Sequence, residues 1–449
     1  MKRKYFKQLR AYSKDHPMLI TTLIIIGVLA ITLTVIVYFT SWSDVNVETR
    51  SSVPLAIGTS KFRTAVASVA GSPMLPLPPD GIAVLNNGDE FLPDFLGEIK
   101  SARQSITVTD YIWKDGKMLG DILDALTERA RAGVEVRILM DGKGSIGNPE
   151  DRINALKKAG GKVEIFRSLW NLRTILRGNK RSHVRAMVID GKVGYIGGMA
   201  FDDGWLGDGT KPEEWRDVMF KMGGLGAQSI QDMFNSLWRQ TNGEILSGAA
   251  FYPESAPATT ATLPCTGSCF VPLFHSPTPD LEKNLSQLLW LSASGARDHI
   301  YMETPYLLPD DNMLKALEEK ARSGVDVEIV VPGPYVDSRI VQAASRSFYN
   351  QLLDAGIRIY EYQPAHLHSK ILTADGTWSI IGSANLDNRS STLNIEGVMA
   401  VEDTRLAQDL ETQFALDKSR SVEIKKGSYQ TNIVTRFFGR ISRLFAKQY

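Results

Sequence analysis

Residues 366–391 read HLHSKILTADGTWSIIGSANLDNRSS. Earlier in the chain, residues 182–203 read SHVRAMVIDGKVGYIGGMAFDD, so His183, Arg185 and Asp190 repeat the mutual spacing of His368, Lys370 and Asp375. In a strand, residues two apart share a face, which sets each imidazole beside its cation. The apolar run from cation to aspartate fits a buried strand. Asp190-Gly191 and Asp375-Gly376 fit a tight turn, and VGYIGG or WSIIGS fits a returning strand whose small residues admit a ligand to the backbone. One imidazole and one cation from each half, facing a common seam, suit a phosphoryl group. One imidazole attacks phosphorus, the other protonates the leaving alkoxide, and the cations neutralise the non-bridging oxygens. A lone histidine is more often structural than catalytic, but two copies in matched register are not what scattered core histidines produce. Metal-dependent chemistry fits less well, because a Lys or Arg beside each His repels a metal ion and no carboxylate cluster has ligand-like spacing. No metal and no cofactor is expected.

The surrounding segments repeat as well. VEVRILMDG (134–142) matches VDVEIVVPG (325–333), and AGGKVEIF (159–166) matches AGIRIYEY (355–362), each copy preceding its histidine motif. Strands alternating with helices predict an α/β fold with a mixed sheet in each half, flanked by helices. A repeat of roughly 190 residues is a duplicated domain and not a solenoid. The expected layout is a first half over 81–245, a junction over 246–280 that is rich in Pro, Ser, Thr and Ala, with a sheet-closing strand including Phe270 to Phe274 that belongs to the second half, and a second half over 281–424. Residues 41–80 read as a linker, and 425–449 as a basic amphipathic helix suited to a bilayer interface.

Residues 18–40, MLITTLIIIGVLAITLTVIVYFT, carry no charge and are long enough to cross a hydrocarbon core of roughly 30 Å. An uncleaved anchor is the expectation. A signal peptide would have a shorter apolar region and a small-residue cleavage site. The segment over 1–17 is basic and the one following the span is acidic, so the N-terminus is expected in the cytoplasm and the catalytic body outside the inner membrane. Cys265 and Cys269 in PCTGSC could close a small disulfide loop, which fits an oxidising compartment, or remain two free thiols. The 51 Lys+Arg nearly cancel the 50 Asp+Glu, which argues against general nucleic-acid binding.

The paired HxKxxxxD-type motifs, with the G-[GS]-x-N pattern after the second, resemble the phospholipase D superfamily and within it the bacterial cardiolipin synthases. The similarity runs from about Gly81 to Glu423 and includes Thr304-Pro305-Tyr306 with Pro309-Asp310, the run from Asp337 to Ser347, residues 359–370, residues 381–396 and Glu214-Trp215-Arg216-Asp217. The resemblance implies two halves with the active site at their shared interface, and metal-independent transfer through a phosphatidyl-histidine intermediate. The substrate implied is a glycerophospholipid such as phosphatidylglycerol, with water or a second phospholipid's glycerol as acceptor. It implies His183 as nucleophile and His368 as general acid/base, an order that the residues alone do not distinguish. Arg185, Lys370, Asn385 and, as a hydroxyl donor, Ser383 would hold the phosphate. Asp217 and Glu396 would orient the imidazoles, and Asp190 and Asp375 would support the turns.

Two positions depart from the family pattern. Arg185 stands in place of Lys, and Ala200 in place of the Asn that Asn385 supplies in the second copy. An arginine is planar and bulkier, and an alanine donates nothing. Two other readings therefore stand beside a membrane-anchored phosphatidyltransferase: an extracytoplasmic phosphodiesterase or nuclease of the same superfamily, and a lipid-binding protein whose first motif has decayed. The sequence does not indicate an oligomeric state.

Overall fold

In the computed structural model, the described residues are 16–40, 48–168, 179–254, 265, 267–277 and 283–427. The chain divides into two units, Met1–Asn46 and Val47–Tyr449. The described part of the first is the helix Pro17–Thr40, with mean hydropathy 2.3 over Pro17–Thr34, long and apolar enough to cross a membrane. The basic residues expected over 1–15 and nearly all of the C-terminal segment from 425 onward lie outside the described residues.

The second unit holds two large sheets. Its strands in chain order are β1 (Leu75–Pro76), β2 (Ile82–Asn86), β3 (Ser105–Asp110), β4 (Glu135–Asp141), β5 (Lys162–Phe166), β6 (Ala186–Ile189), β7 (Val193–Gly197), β8 (Trp215–Arg216) and β9 (Val218–Gly223). They continue with β10 (Cys269–His275), β11 (His299–Glu303), β12 (Asp326–Pro332), β13 (Arg358–Tyr362), β14 (His366–Leu367), β15 (Ile371–Ala374), β16 (Trp378–Gly382), β17 (Glu396–Glu402) and β18 (Ser421–Glu423). The first sheet is seven-stranded, in the order β2-β9-β7-β6-β3-β4-β5, and the second is nine-stranded, β1-β10-β17-β16-β15-β11-β12-β13-β18. Removing the edge strands β1 and β18 leaves the same order in both. In each sheet three strands are parallel (β3-β4-β5 and β11-β12-β13) and the motif strands run antiparallel to them, so both sheets are mixed.

Helices Asn87–Ser101 and Lys117–Arg131 cover the outer face of the first sheet through Phe91, Phe95, Leu119 and Ile122, all buried. Asn284–Gly295 and Asp311–Arg322 cover the second sheet in the same way. The inner faces share one core. Val188, Ile196, Phe220 and, from helix Gly224–Asn242, Phe234 pack in one cluster with Ile381, Met399, Val401 and Leu410. The halves are thus joined by apolar burial and cannot separate without exposing it.

The sequence and the structure part over the linker expected at 41–80, which contains a helix, Ser60–Ala70, capped by the Thr59 hydroxyl and ended by Gly71 at φ 66°. Its two buried anchors, Phe62 and Val66, are one turn apart, too few to show a period over eleven residues. Phe62 meets Trp378 edge-on with ring centroids 4.9 Å apart, and Arg63 forks onto Glu402. The junction expected over 246–280 contains β10, which occupies the place in its sheet that β2 holds in the first. The sheet-closing strand expected to include Phe270 to Phe274 and to belong to the second half is this one, with Pro272 inside it. The proline is tolerated because β1 pairs only with Cys269 and Phe270, leaving an open edge at the proline. Cys265 and Cys269 form a disulfide at the start of this strand.

The Asp-Gly turns are built alike. Asp190 (φ 51°) and Gly191 (φ 63°) are both left-handed, as are Asp375 (φ 54°) and Gly376 (φ 60°). The Asp190 carboxylate accepts from the amides of Arg103, Gln104 and Ser105 at 2.7 to 3.1 Å, and Asp375 from Arg297, Asp298 and His299 at 2.8 to 3.2 Å. Each aspartate ties its turn to the start of the neighbouring parallel strand, at the end of its motif strand away from the histidine.

Candidate active site

His183 and Arg185 lie just ahead of β6, and His368 and Lys370 just ahead of β15, so the motif sits at the mouth of its strand and not within it. The spacing still brings each cation onto its imidazole. Arg185 Nη1 and Nη2 are 3.2 and 3.3 Å from His183 Nε2, and Lys370 Nζ is 2.8 Å from His368 Nδ1 and 3.2 Å from its Nε2.

The two mouths are stitched across the halves by backbone. Short β14 pairs in parallel with β8, His366 opposite Trp215, and on the other side Ser182 bridges Ile395. The His368 amide donates to the Arg216 carbonyl (2.7 Å) and the His183 amide to the Ile395 carbonyl (2.9 Å). Arg216 and Ile395 each precede the carboxylate that meets the other half's histidine. Asp217 Oδ2 lies 2.6 Å from His368 Nδ1, while Glu396 Oε1 and Oε2 lie 3.0 Å from His183 Nδ1. The exchange is reciprocal, so neither half holds a complete site.

A carboxylate only accepts, so Nδ1 carries the proton in each ring and Nε2 keeps its lone pair; at His368 the Asp217 contact of 2.6 Å prevails over the 2.8 Å approach of Lys370 Nζ, which donates to the His368 carbonyl. Burial pushes His183 down to about 4, against the pull of Glu396 and with the help of Arg185. His368 is driven well below its ordinary value by burial, then by Lys370 and Arg185. Both rings are therefore neutral near pH 7. Lys370 is lowered to about 7 by burial, with Asp217 opposing and Arg185 adding to the fall. An arriving phosphodiester anion stabilises the charged lysine and a protonated imidazole, which is the charge state that leaving-group protonation needs. Asp217 is raised by burial, against Lys370 and the indole of Trp205, which donates to Oδ2 at 3.0 Å. Burial also pushes Glu396 upward, but His183 and the hydroxyls of Ser383 and Ser390 outweigh it and the net shift is downward.

The remaining expected residues divide. Asn385 is buried beside the second motif and lines a small recess with Lys370. Ser383 is placed differently from expectation: its hydroxyl donates to Glu396 Oε2 at 2.5 Å and accepts from the Gly397 amide at 3.0 Å, so it is engaged behind the carboxylate and not offered to a phosphate. Ala200 is fully buried in the outer core of the first half.

Several residues near the rings carry no motif signal. Asp110, the last residue of β3, is buried 4.0 Å from Arg185 and pushed up to about 7 by burial, with Arg185 opposing. Tyr111 meets the His183 ring edge-on at 5.3 Å. Trp205 and Trp215 wall His368 at 5.3 and 5.0 Å. Aromatic walls of this kind exclude water and so strengthen charge interactions inside the site. Only Trp215, inside the quoted Glu214–Asp217 segment, had any signal in sequence.

Comparison with known proteins agrees with this geometry. The family profile described as "Cardiolipin synthase, PLD-like domain" matches residues 95–238 and 292–418, one segment in each half. A probable cardiolipin synthase of Bacillus subtilis is 30% identical over 366 residues, covering 81% of this chain and 71% of the relative. Cardiolipin synthase 2 of Bacillus cereus is 35% identical over 76% of this chain and 65% of its own length, and a Clostridium perfringens cardiolipin synthase is 31% identical over 80% and 75%. The crystal structure of phosphatidylserine synthase from Haemophilus influenzae shares the fold, with a TM-score of 0.66 at 16% identity over 87% of this chain and 99% of that one. These relatives imply a phospholipid substrate, and with the helix Pro17–Thr40 they fit a membrane-anchored protein. The chain belongs to the phospholipase D superfamily, in the family of the bacterial cardiolipin synthases, and is a phospholipase D-type phosphatidyltransferase.

Proposed function

We propose that the chain moves a phosphatidyl group between glycerol hydroxyls by double displacement, with phosphatidylglycerol as donor and a histidine as the intermediate carrier. The observation that carries this is the reciprocal pair His183–Glu396 and His368–Asp217, two imidazoles each presenting a bare Nε2 beside a cation. His183 Nε2 attacks phosphorus and the bond to the departing glycerol oxygen breaks. His368 Nε2 delivers a proton to that oxygen. In the second step an acceptor hydroxyl gives its proton to His368 and attacks phosphorus, and the phosphorus–nitrogen bond breaks. Lys370 and Asn385 hold the non-bridging oxygens from one side and Arg185 from the other.

Arg185 takes on a double task here. Both of its terminal nitrogens face His183 Nε2, so one guanidinium offers two donors where the second copy uses a lysine and an asparagine. The missing side-chain donor at Ala200 is thereby offset in number. Ser383 acts as a positioning residue that holds Glu396, and Asp190 and Asp375 brace the turns.

Labelled phosphatidylglycerol incubated with the full chain in mixed micelles is expected to yield cardiolipin-type lipid and free glycerol, with phosphatidic acid where water is the acceptor. Labelled single-stranded DNA is expected to remain intact. Absence of any lipid product, or cleavage of the DNA, overturns this reading.

The catalytic body is proposed to lie outside the cytoplasmic membrane, supported by the charge asymmetry about residues 18–40 and by the Cys265–Cys269 disulfide, a bond that persists in oxidising compartments. Alkaline phosphatase fused after Tyr449 is expected to be active, and an inactive fusion in cells that accumulate the protein contradicts the topology.

A further inference from the structure

Beside His368 stands a third histidine that the transfer mechanism does not use. His366 is two residues earlier, 3% exposed, with its ring 5.7 Å from that of His368 and edge-on to Trp215 at 4.6 Å. At the equivalent position the first half has Arg181, whose guanidinium is bonded to Asp141 at 3.0 Å. The two ends of the seam are therefore chemically unlike.

The hydrogen-bonding state of His366 follows from its neighbours. Nδ1 is 3.2 Å from the Tyr335 carbonyl, which only accepts, so Nδ1 carries the proton. Burial lowers the affinity of this ring for a second proton, with Asp337 opposing, so Nε2 bears a lone pair. That atom has no hydrogen-bond partner among the described residues. Asp337 Oδ1, another acceptor, lies 3.8 Å from it, too far for a hydrogen bond. Asp337 also accepts from the Tyr306 hydroxyl, and its side chain is 29% exposed, so a solute can reach it. The result is two acceptors aimed at one place, next to the imidazole that exchanges a proton with the alcohol.

Two acceptors set this far apart call for a ligand with two donors. A vicinal diol supplies them with no charge. An ammonium would also donate twice, but Lys370 already acts electrostatically on His366, and a further cation would meet it. We propose that His366 and Asp337, with Tyr306 fixing the carboxylate, form the subsite for the hydroxyls of a glycerol-type alcohol. They would hold it while His368 protonates it on departure or deprotonates it on attack. The proposal rests on the phosphatidyl-transfer reading above and deepens it by assigning the specificity for the alcohol.

The test sets isotope-labelled glycerol against 1-propanol and ethanolamine as competing acceptors, with phosphatidylglycerol as donor, for the full chain and for His366→Phe and Asp337→Asn. A parallel arm replaces free glycerol by unlabelled phosphatidylglycerol as acceptor, which separates a free polyol from a lipid headgroup. Each product is expressed as a ratio per phospholipid consumed, so a loss of rate alone does not move it. The unsubstituted chain is expected to prefer either glycerol source over propanol, and each substitution to lower that preference about 3- to 10-fold, the worth of one hydrogen bond. Unchanged ratios in both variants, or a preference for ethanolamine over glycerol in the unsubstituted chain, overturn the subsite. If the unsubstituted chain consumes no phospholipid, the transfer reading fails by itself. Titration calorimetry with glycerol 1-phosphate and propyl phosphate then decides the subsite. Tighter binding of glycerol 1-phosphate that His366→Phe abolishes supports it, and equal binding of the two by the unsubstituted chain contradicts it.

Discussion

Replacing His183 by alanine is expected to lower phosphatidyl transfer by at least about four orders of magnitude and to leave no lipid covalently attached to the protein. The ring cannot be replaced from nearby. Among the described residues its imidazole partner across the seam, His368, is held by Asp217, and the groups within hydrogen-bond distance of His183 Nε2 are the guanidinium nitrogens of Arg185, which are permanently protonated and not nucleophilic. His368→Ala is expected to fall by a comparable factor, because the glycerol alkoxide then departs without a proton. Activation by a better leaving group separates the two roles. With p-nitrophenyl phosphatidyl ester as donor, His368→Ala is expected to recover the first step, seen as a burst of nitrophenol, whereas His183→Ala is not. Recovery in the His183 variant instead would exchange the two assignments.

The second large effect concerns the carboxylates. Asp217→Asn and Glu396→Gln are each expected to lower kcat by about 10²- to 10⁴-fold with little change in KM, since neither residue is placed to touch substrate. An amide can rotate its NH₂ toward Nδ1, which forces the imidazole into the tautomer with the proton on Nε2, where no attack is possible. The pH profile gives a readout that a purely structural role would not move. Glu396 raises the His183 pKa, so its loss lowers that pKa further, and the acid limb set by protonation of the nucleophile shifts to lower pH in Glu396→Gln. The pattern across the chain is equally diagnostic. The substitution that disables the first-half histidine lies in the second half, and the reverse holds for Asp217. Steady-state kinetics of the unsubstituted chain and both variants from about pH 2.5 to 8 measure these effects, and wild-type rates in either variant contradict the assigned orientation.

Much of this was legible before any coordinates, because duplication is a strong signal. Matched spacing of His183 and His368, with Asp-Gly after each, implied two like sheets and a site between them. The topologies agree strand for strand over the shared seven. Pairing across the halves was harder to read. Nothing in Trp215-Arg216-Asp217 or Asn394-Ile395-Glu396 says which histidine each carboxylate meets, since that depends on how the two mouths dock. The family resemblance implies Ser383 as a phosphate donor, but Glu396 takes its hydroxyl. Asp110, Tyr111 and Trp205 were missed because they approach the site from β3 and from the loop after β7, where sequence distance hides proximity. In sequence His366 is no more than a residue flanking the motif. Only its short pairing with Trp215 and its approach to Asp337 give it meaning. The helix Ser60–Ala70 went unseen for want of periodic length.

The claim on which the rest depends is that one histidine carries the phosphatidyl group between two alcohols. Rapid acid-free quenching of the full chain during turnover of phosphatidylglycerol labelled in its phosphate, followed by peptide mapping, tests it directly. The account predicts protein-bound label that is stable to base, labile to acid, and located on His183. Turnover with no protein-bound label, or label on a serine or carboxylate side chain, would contradict it.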